Sequence, residues 1–108
     1  MESPTGPQRA ILGQIVDHAG NLASVLEAQF ASCRTEPMEG CGECFDIEVS
    51  GDLPRLPEGT ECPLAFGVGE GTGALSVLLW HEGGLVDGLE VNSVGHPHAA
   101  LADLVIED

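Results

Sequence analysis

The sequence contains no lysine and only three arginines, Arg9, Arg34 and Arg55, against eighteen acidic residues, so its net charge is −15. An acidic surface repels phosphate backbones and anionic lipid headgroups, which disfavours binding to nucleic acid and to membrane surfaces. It attracts a basic partner or a metal cation instead. The same composition is also typical of a protein selected for solubility, or of a salty, GC-rich host.

The sequence also lacks an apolar run near the ~20 residues that a membrane-spanning helix needs. Its first residues, Met1–Pro4, lack the basic and apolar regions of a secretory signal peptide. We therefore expect a cytoplasmic protein. In that compartment the four cysteines are expected to be thiols or metal ligands rather than structural disulfides.

No motif specific for one reaction is present: the chain has no nucleophile elbow, phosphate-binding loop or HExxH helix. Gly69–Ala74 matches the letters G-x-G-x-x-A of dinucleotide-binding sites. That fingerprint must lead into a helix whose N-terminus binds the pyrophosphate, whereas this segment leads into a predicted strand. We interpret it as a hairpin loop, and the sequence argues against an enzyme.

The longest apolar extended segment is Ala74–Val94, which predicts two strands joined by a turn at Gly83-Gly84. Both faces of the first arm are apolar, as in a central strand. Leu85, Leu89 and Val91 are expected to share one face of the second arm. Asp87-Gly88 interrupts that arm and predicts a β-bulge or a slightly longer loop.

The N-terminal third predicts helices. Thr5, Pro7 and Gln8 have the spacing of an N-cap, a first-turn proline and a capping box. Apolar residues then recur at steps of three and four through Phe30, which forms a stripe suited to packing on a sheet. Gly20-Asn21 interrupts the stripe, so we expect either a kink or two helices, Pro7–His18 and Asn21–Ser32, with Asn21 as the second N-cap.

Two further strands precede the hairpin. Phe45–Ser50 alternates between apolar and polar residues, and Cys62–Val68 also alternates. Pro63 confines the start of the second strand to an edge or to a position outside the ladder. The links are of hairpin length, so we predict the α+β class, with the helices on one face of a mainly antiparallel four-stranded sheet. A single domain spans residues 1–108: a helical region (about 6–33), a sheet region (about 44–94) and a tail (95–108).

Glu61–Ala65 and Leu75–Val91 resemble the C-terminal half of a family of small actinobacterial proteins. In that family a strand similar to Arg-Val-Pro-Val precedes a Gly-x-Leu-x-x-Leu-Glu-Val strand, which Gly84–Val91 resembles. Many members carry a Cys-Gly-Cys-Gly-Cys run before the first strand, and Cys41–Cys44 resembles a shortened version. Asn92–Gly95 departs from the tyrosine and acidic-glycine turn with which the family ends its hairpin. The family has no assigned activity, so the resemblance implies a fold and no chemistry.

The cysteines are spaced Cys33-x7-Cys41-x2-Cys44-x17-Cys62. A C-x2-C pair can bind one zinc ion, and Cys33 and Cys62 would complete a tetrahedral site if the fold brings them near. The alternative is that Cys33 ends a helix and Cys62 begins a strand, each packed as a small apolar residue. A thioredoxin-like redox role for Cys41 and Cys44 requires a following helix N-terminus, whereas a strand follows here.

His81, His96 and His98 form a second candidate metal cluster, because imidazole binds transition metals well. The alternative is scattered surface histidines. For Trp80 two positions stay open: the core, together with Phe66, or a contact surface. Leu78 and Trp80 share a face of the hairpin by alternation, and if helices do not cover that face it exposes an apolar patch that needs a partner.

We therefore predict a non-enzymatic protein-interaction module, with a homodimer as the first form expected and a complex with another protein as the second. The alternatives are a small zinc-binding domain that uses Cys41 and Cys44, and a thiol redox protein. No other cofactor is indicated.

Overall fold

A computed structural model of the chain describes residues 1–39, 43–68, 75–93 and 105–106. Within these residues lie two α-helices, α1 (Gly6–His18) and α2 (Ala23–Ala31), joined through a 3-10 turn at Gly20–Leu22. The strands are β1 (Arg34–Pro37), β2 (Phe45–Glu48), β3 (Leu64–Gly67), β4 (Leu75–Glu82) and β5 (Leu85–Ser93). Neighbouring strands pair antiparallel, which confirms the α+β class.

Helix α1 begins with the capping box that the sequence predicts. Thr5 Oγ1 accepts a hydrogen bond from the Gln8 N–H at 3.2 Å, and Gln8 Oε1 accepts one from the Thr5 N–H at 2.9 Å. Gln8 Oε1 also accepts a hydrogen bond from the Thr35 hydroxyl at 2.7 Å. The cap therefore satisfies the first turn of α1 and also ties it to β1.

The helical region divides at Gly20, which gives two helices rather than one kinked helix. Gly20 has φ 59°, a left-handed conformation that glycine adopts without steric penalty. The predicted N-cap at Asn21 is wrong, because α2 begins after Leu22 and no side chain caps it. The Ala23 N–H donates to the Gly20 carbonyl within the 3-10 turn, so the backbone takes the place of the cap.

The predicted hairpin lies at the centre of the sheet, whose strand order is β1-β2-β5-β4-β3. Its turn is at Gly83 and Gly84, which have φ 61° and 87°. Both values are left-handed, and this explains why two glycines stand there. Strand β3 lies at an edge, as Pro63 predicts.

The predicted β-bulge lies at Asp87. Trp80 pairs with Gly88 and His81 pairs with Val86, so Asp87 has no partner on β4. One extra residue reverses the alternation on the turn side of the bulge. Val86 is therefore buried and Leu85 only half-buried, which corrects the expectation that Leu85 faces the core together with Leu89.

Within the described residues the sheet has five strands rather than the four predicted, because Arg34–Pro37 also forms a strand. This segment has no apolar alternation, and Thr35 is its only buried residue. Long-range pairing forms it: β1 pairs with β2 on one side, and Glu2 exchanges two backbone hydrogen bonds with Thr35 on the other.

In the core, the inward-facing side chains of the strands pack against side chains of the two helices. Its helical members are Ile11, Leu12, Ile15, Leu26 and Phe30, and its sheet members are Phe45, Ile47, Phe66, Val77, Leu79, Val86 and Leu89. The expectation that helices alone cover one face is incomplete. Leu56, from the connection between β2 and β3, and Ile106 are also buried in the core, so segments without helical structure complete the cover.

A buried glutamine on α2 holds the central hairpin. Gln29 Nε2 donates to the carbonyls of Pro54 (2.8 Å) and Gly84 (3.0 Å), and Gln29 Oε1 accepts from the Val86 N–H at 2.9 Å. Arg55 adds a hydrogen bond to the Gly83 carbonyl at 2.8 Å from the solvent side. These contacts fix the turn and therefore the register of β4 and β5.

Only Val105 and Ile106 of the predicted tail lie within the described residues. Ile106 forms an isolated bridge with Val68, and its N–H donates to Gln14 Oε1 at 2.7 Å. Among the described residues, no helix combines the length and apolar character that crossing a membrane requires.

Candidate functional site

The four cysteines occupy different environments. Cys44 is disulfide-bonded and 2% exposed, and its Sγ accepts a hydrogen bond from the Val91 N–H at 3.4 Å. Cys33 is a buried free thiol at the end of the helical region, and Cys62 is an exposed free thiol. Cys41 lies outside the described residues. The expectation that every cysteine is a thiol or a metal ligand is wrong for Cys44, which is disulfide-bonded. That expectation was based only on the redox conditions of the cytoplasm.

Zinc binding by the cysteines stays a prediction. A disulfide sulfur is not a thiolate, so Cys44 would have to be reduced before it could bind zinc. In the part of the chain that the structure describes, no three His, Cys, Asp or Glu side chains are grouped to hold a metal ion. The structure does not bring Cys33 and Cys62 together with Cys44 in such a group.

Alkylation should separate the thiols by environment. Burial raises the pKa of the Cys33 thiol, while the nearby Arg9 guanidinium and a backbone hydrogen bond lower it to a smaller extent. The thiolate is the reactive form, so we expect iodoacetamide at neutral pH to modify exposed Cys62 quickly and Cys33 slowly. Mass spectrometry should show two modified cysteines in the unfolded, unreduced protein. After reduction it should show all four cysteines of the sequence modified. Three or more modified without reduction would contradict the disulfide at Cys44.

Of the histidine cluster that the sequence predicts, the structure describes only His81, so that cluster stays a prediction. His81 Nε2–H donates to the Glu61 carbonyl at 2.6 Å, and Cys62 Sγ–H donates to the His81 carbonyl at 3.2 Å. The Cys62 and His81 side chains line one side of an open cavity of about 700 Å³, which also borders Arg55 and the turn. His96 and His98 lie outside the described residues, as does the Gly69–Ala74 segment.

A second surface centres on Trp80, which is 37% exposed. Trp80 is on β4 between inward-facing Leu79 and half-buried His81, so it projects from the side of the sheet opposite the core. Its cross-strand neighbour is Gly88, which pairs in turn with Asp46 on β2. The missing side chain at Gly88 leaves a gap beside the indole.

The gap is a groove of about 310 Å³, which we call the Trp80 groove. Its lining is formed by Met38, Asp46, Trp80, Asp87, Gly88 and Glu90. The Met38 methyl group lies 3.1 Å from the position that a Cβ on Gly88 would occupy. Because glycine has no side chain, Met38 can lie close to the sheet at this point. The groove therefore has a backbone floor, an aromatic side and a thioether side.

Three carboxylates surround this apolar centre. Asp87 is exposed and Asp46 and Glu90 are half-buried. Within the described residues, none of their carboxylates makes a hydrogen bond or an ion pair. No arginine lines the groove. Leu78, which pairs with Ala65 and Glu90, extends the apolar surface towards β3.

The Trp80 groove combines apolar and acidic side chains. Around the Trp80 groove the polar side chains are all carboxylates, with no nucleophile and no histidine. Of the two positions that the sequence leaves open for Trp80, the structure shows the exposed one, on the same face as Leu78. The sequence misses Met38, Asp46 and Gly88. The signals that could have found them are the bulge at Asp87 and the pairing of β2 with β5. Comparison of the chain with protein-family models, curated proteins and solved structures found no match.

Proposed function

We propose that this protein is a non-enzymatic protein-interaction module whose docking surface is the open side of the sheet around Trp80. The observation that carries the proposal is the exposed Trp80 beside the apolar Leu78, Ala65 and Met38 on the side opposite the core. Tryptophan is enriched where interfaces bind most strongly, because it buries a large area with little loss of conformational freedom.

The charge of the surface favours another protein over a second copy. A two-fold contact through the Trp80 groove would bring Asp46, Asp87 and Glu90 of both copies together. Like charges placed in one interface oppose association. The sequence favours a homodimer first, but the charge of the groove makes a complex with a different protein the form we propose, with homodimerisation as the alternative.

Site-specific photocrosslinking in the native host tests the proposal. The photoreactive residue p-benzoylphenylalanine at Leu78, beside the groove, should give a discrete adduct. The matched control at Ser24, exposed on α2, should give none. An adduct near twice the 11.2 kDa chain mass would be the homodimer, and another discrete mass would be a different protein. Equal labelling at both positions, or none at either, would contradict the docking surface.

A further inference from the structure

We infer that the partner segment bound by the Trp80 groove is basic and carries arginine, an inference that rests on the proposed docking function. The groove combines an exposed indole with Asp46, Asp87 and Glu90. A guanidinium group stacks on an indole face and pairs with carboxylates at the same time. A neutral or acidic side chain lacks the positive charge that strengthens both the contact with the indole face and the pairing with carboxylates.

The geometry suits a side chain with a long apolar stem. Gly88 leaves the floor of the groove free of a side chain, and Met38 forms the apolar side facing the indole. An arginine stem can pack its methylene groups between Met38 and Trp80 while its charged end reaches the carboxylates at the rim. The groove volume of about 310 Å³ is enough for one such side chain and not for a folded element.

In the part of the chain that the structure describes, none of the three arginines lines the groove. Arg34 is exposed on β1, where it pairs with Glu48 rather than with a groove residue. Arg55 donates to the carbonyls of Gly83 and Gly51, at 2.8 and 3.1 Å, on the far side of the turn. Arg9 lies on α1 beside Cys33 and lines a different cavity. With a net charge of −15, the whole molecule also attracts a basic segment from a distance.

Trp80 is the only tryptophan and the sequence has no tyrosine, so intrinsic fluorescence reports on the groove directly. The probe is an eight-residue peptide of alternating arginine and serine with blocked ends, titrated at low ionic strength. We expect a saturable change in Trp80 emission. A peptide with glutamine in place of arginine should produce none. Raising the salt from about 20 to 200 mM should weaken binding about tenfold, because exposed charges are screened.

Calorimetry on variants then locates the site. Neutralising the rim with Asp46→Asn, Asp87→Asn and Glu90→Gln should weaken peptide binding about tenfold. The control Asp17→Asn, Glu27→Gln and Glu58→Gln changes the net charge equally, away from the groove, and should weaken it less than twofold. Trp80→Leu should weaken binding about two- to fivefold, the contribution of an exposed cation–π contact.

Three results would overturn the inference: no binding of the arginine peptide, equal binding of the glutamine peptide, or equal losses in the rim and control variants. A stable dimer that already covers Trp80 at micromolar concentration would overturn it as well. None of these results would remove the docking function, because a crosslinked partner at Leu78 would still show a protein contact. Failure of the crosslinking experiment at both positions would remove the docking function itself.

Discussion

Replacing Gly84 with alanine is expected to destabilise the protein by about 2–5 kcal/mol, which is a large share of the stability of a small domain. Gly84 has φ 87°, where a side chain is strained. A Cβ there would lie 2.8 Å from Arg55 Cβ and 2.9 Å from the Leu56 carbonyl oxygen. Leu56 is buried in the core and its N–H donates to the Gly84 carbonyl at 2.9 Å, so the neighbouring backbone cannot move away without loss. Urea unfolding followed by circular dichroism measures the change.

Gly83→Ala is the matched control for this prediction. Gly83 also has a left-handed φ, 61°, but the nearest atom to its Cβ would be the flexible Arg55 Nη1 at 3.5 Å. Only the conformational penalty applies, so we expect a loss of about 1–2 kcal/mol. Equal losses of stability in the two variants would contradict the prediction that the close approach of Arg55 and Leu56 to Gly84 adds to the cost of a side chain there.

Gln29→Leu is expected to lower the free energy of unfolding by about 2–6 kcal/mol. Gln29 is 0% exposed, and its amide satisfies the Pro54 carbonyl and the Val86 N–H. Leucine has a similar volume but leaves both groups without this partner, at about 1–3 kcal/mol each. The Gly84 carbonyl keeps the Leu56 N–H as a donor and should contribute less to the loss.

The control for Gln29 lies two residues earlier on the same helix. Glu27 is exposed, so Glu27→Leu should change stability by no more than about 0.5 kcal/mol. Thermal and urea unfolding of both variants give the comparison. A small loss for Gln29→Leu, similar to that of Glu27→Leu, would contradict the role of Gln29 in holding the hairpin.

Local chemistry made parts of the fold predictable. The capping box at Thr5 and Gln8 depends on residues three apart, and the turn at Gly83-Gly84 depends on a backbone conformation that glycine favours. Both are therefore visible in the sequence. The bulge at Asp87 was predicted for the same reason, but its effect on the facing of Leu85 and Val86 was not.

Other parts depend on contacts between distant residues. Strand β1 is formed by pairing with β2 and Glu2, and nothing within Arg34–Pro37 favours a strand. Gln29 looks like a surface residue in the sequence, and its buried role arises only where α2 meets the turn and the Pro54 carbonyl. Local propensity carries no information about such partners.

The candidate site also has parts that the local sequence indicates and parts that depend on contacts between distant residues. Trp80 and Leu78 follow from alternation along one strand, so the sequence indicates an exposed apolar face. The groove requires the register that places Gly88 beside both Trp80 and Asp46, together with the position of Met38 after β1. Neither can be obtained from one strand alone. The metal and redox hypotheses depend on Cys41 as well as Cys44, and they stay predictions.

The docking surface is tested most directly by the yield of photoadduct from position 78 when the groove is filled by Gly88→Val. A Cβ at position 88 would press on the flexible Met38 methyl group at 3.1 Å and would meet the Phe45 carbonyl and the Asp46 carboxylate at ordinary contact distances of 3.7 and 3.9 Å. Circular dichroism checks that the variant keeps the fold. We predict that the adduct yield falls severalfold while the unfolding midpoint changes little. An unchanged yield from a folded Gly88→Val protein would contradict the proposal that the partner binds in the Trp80 groove.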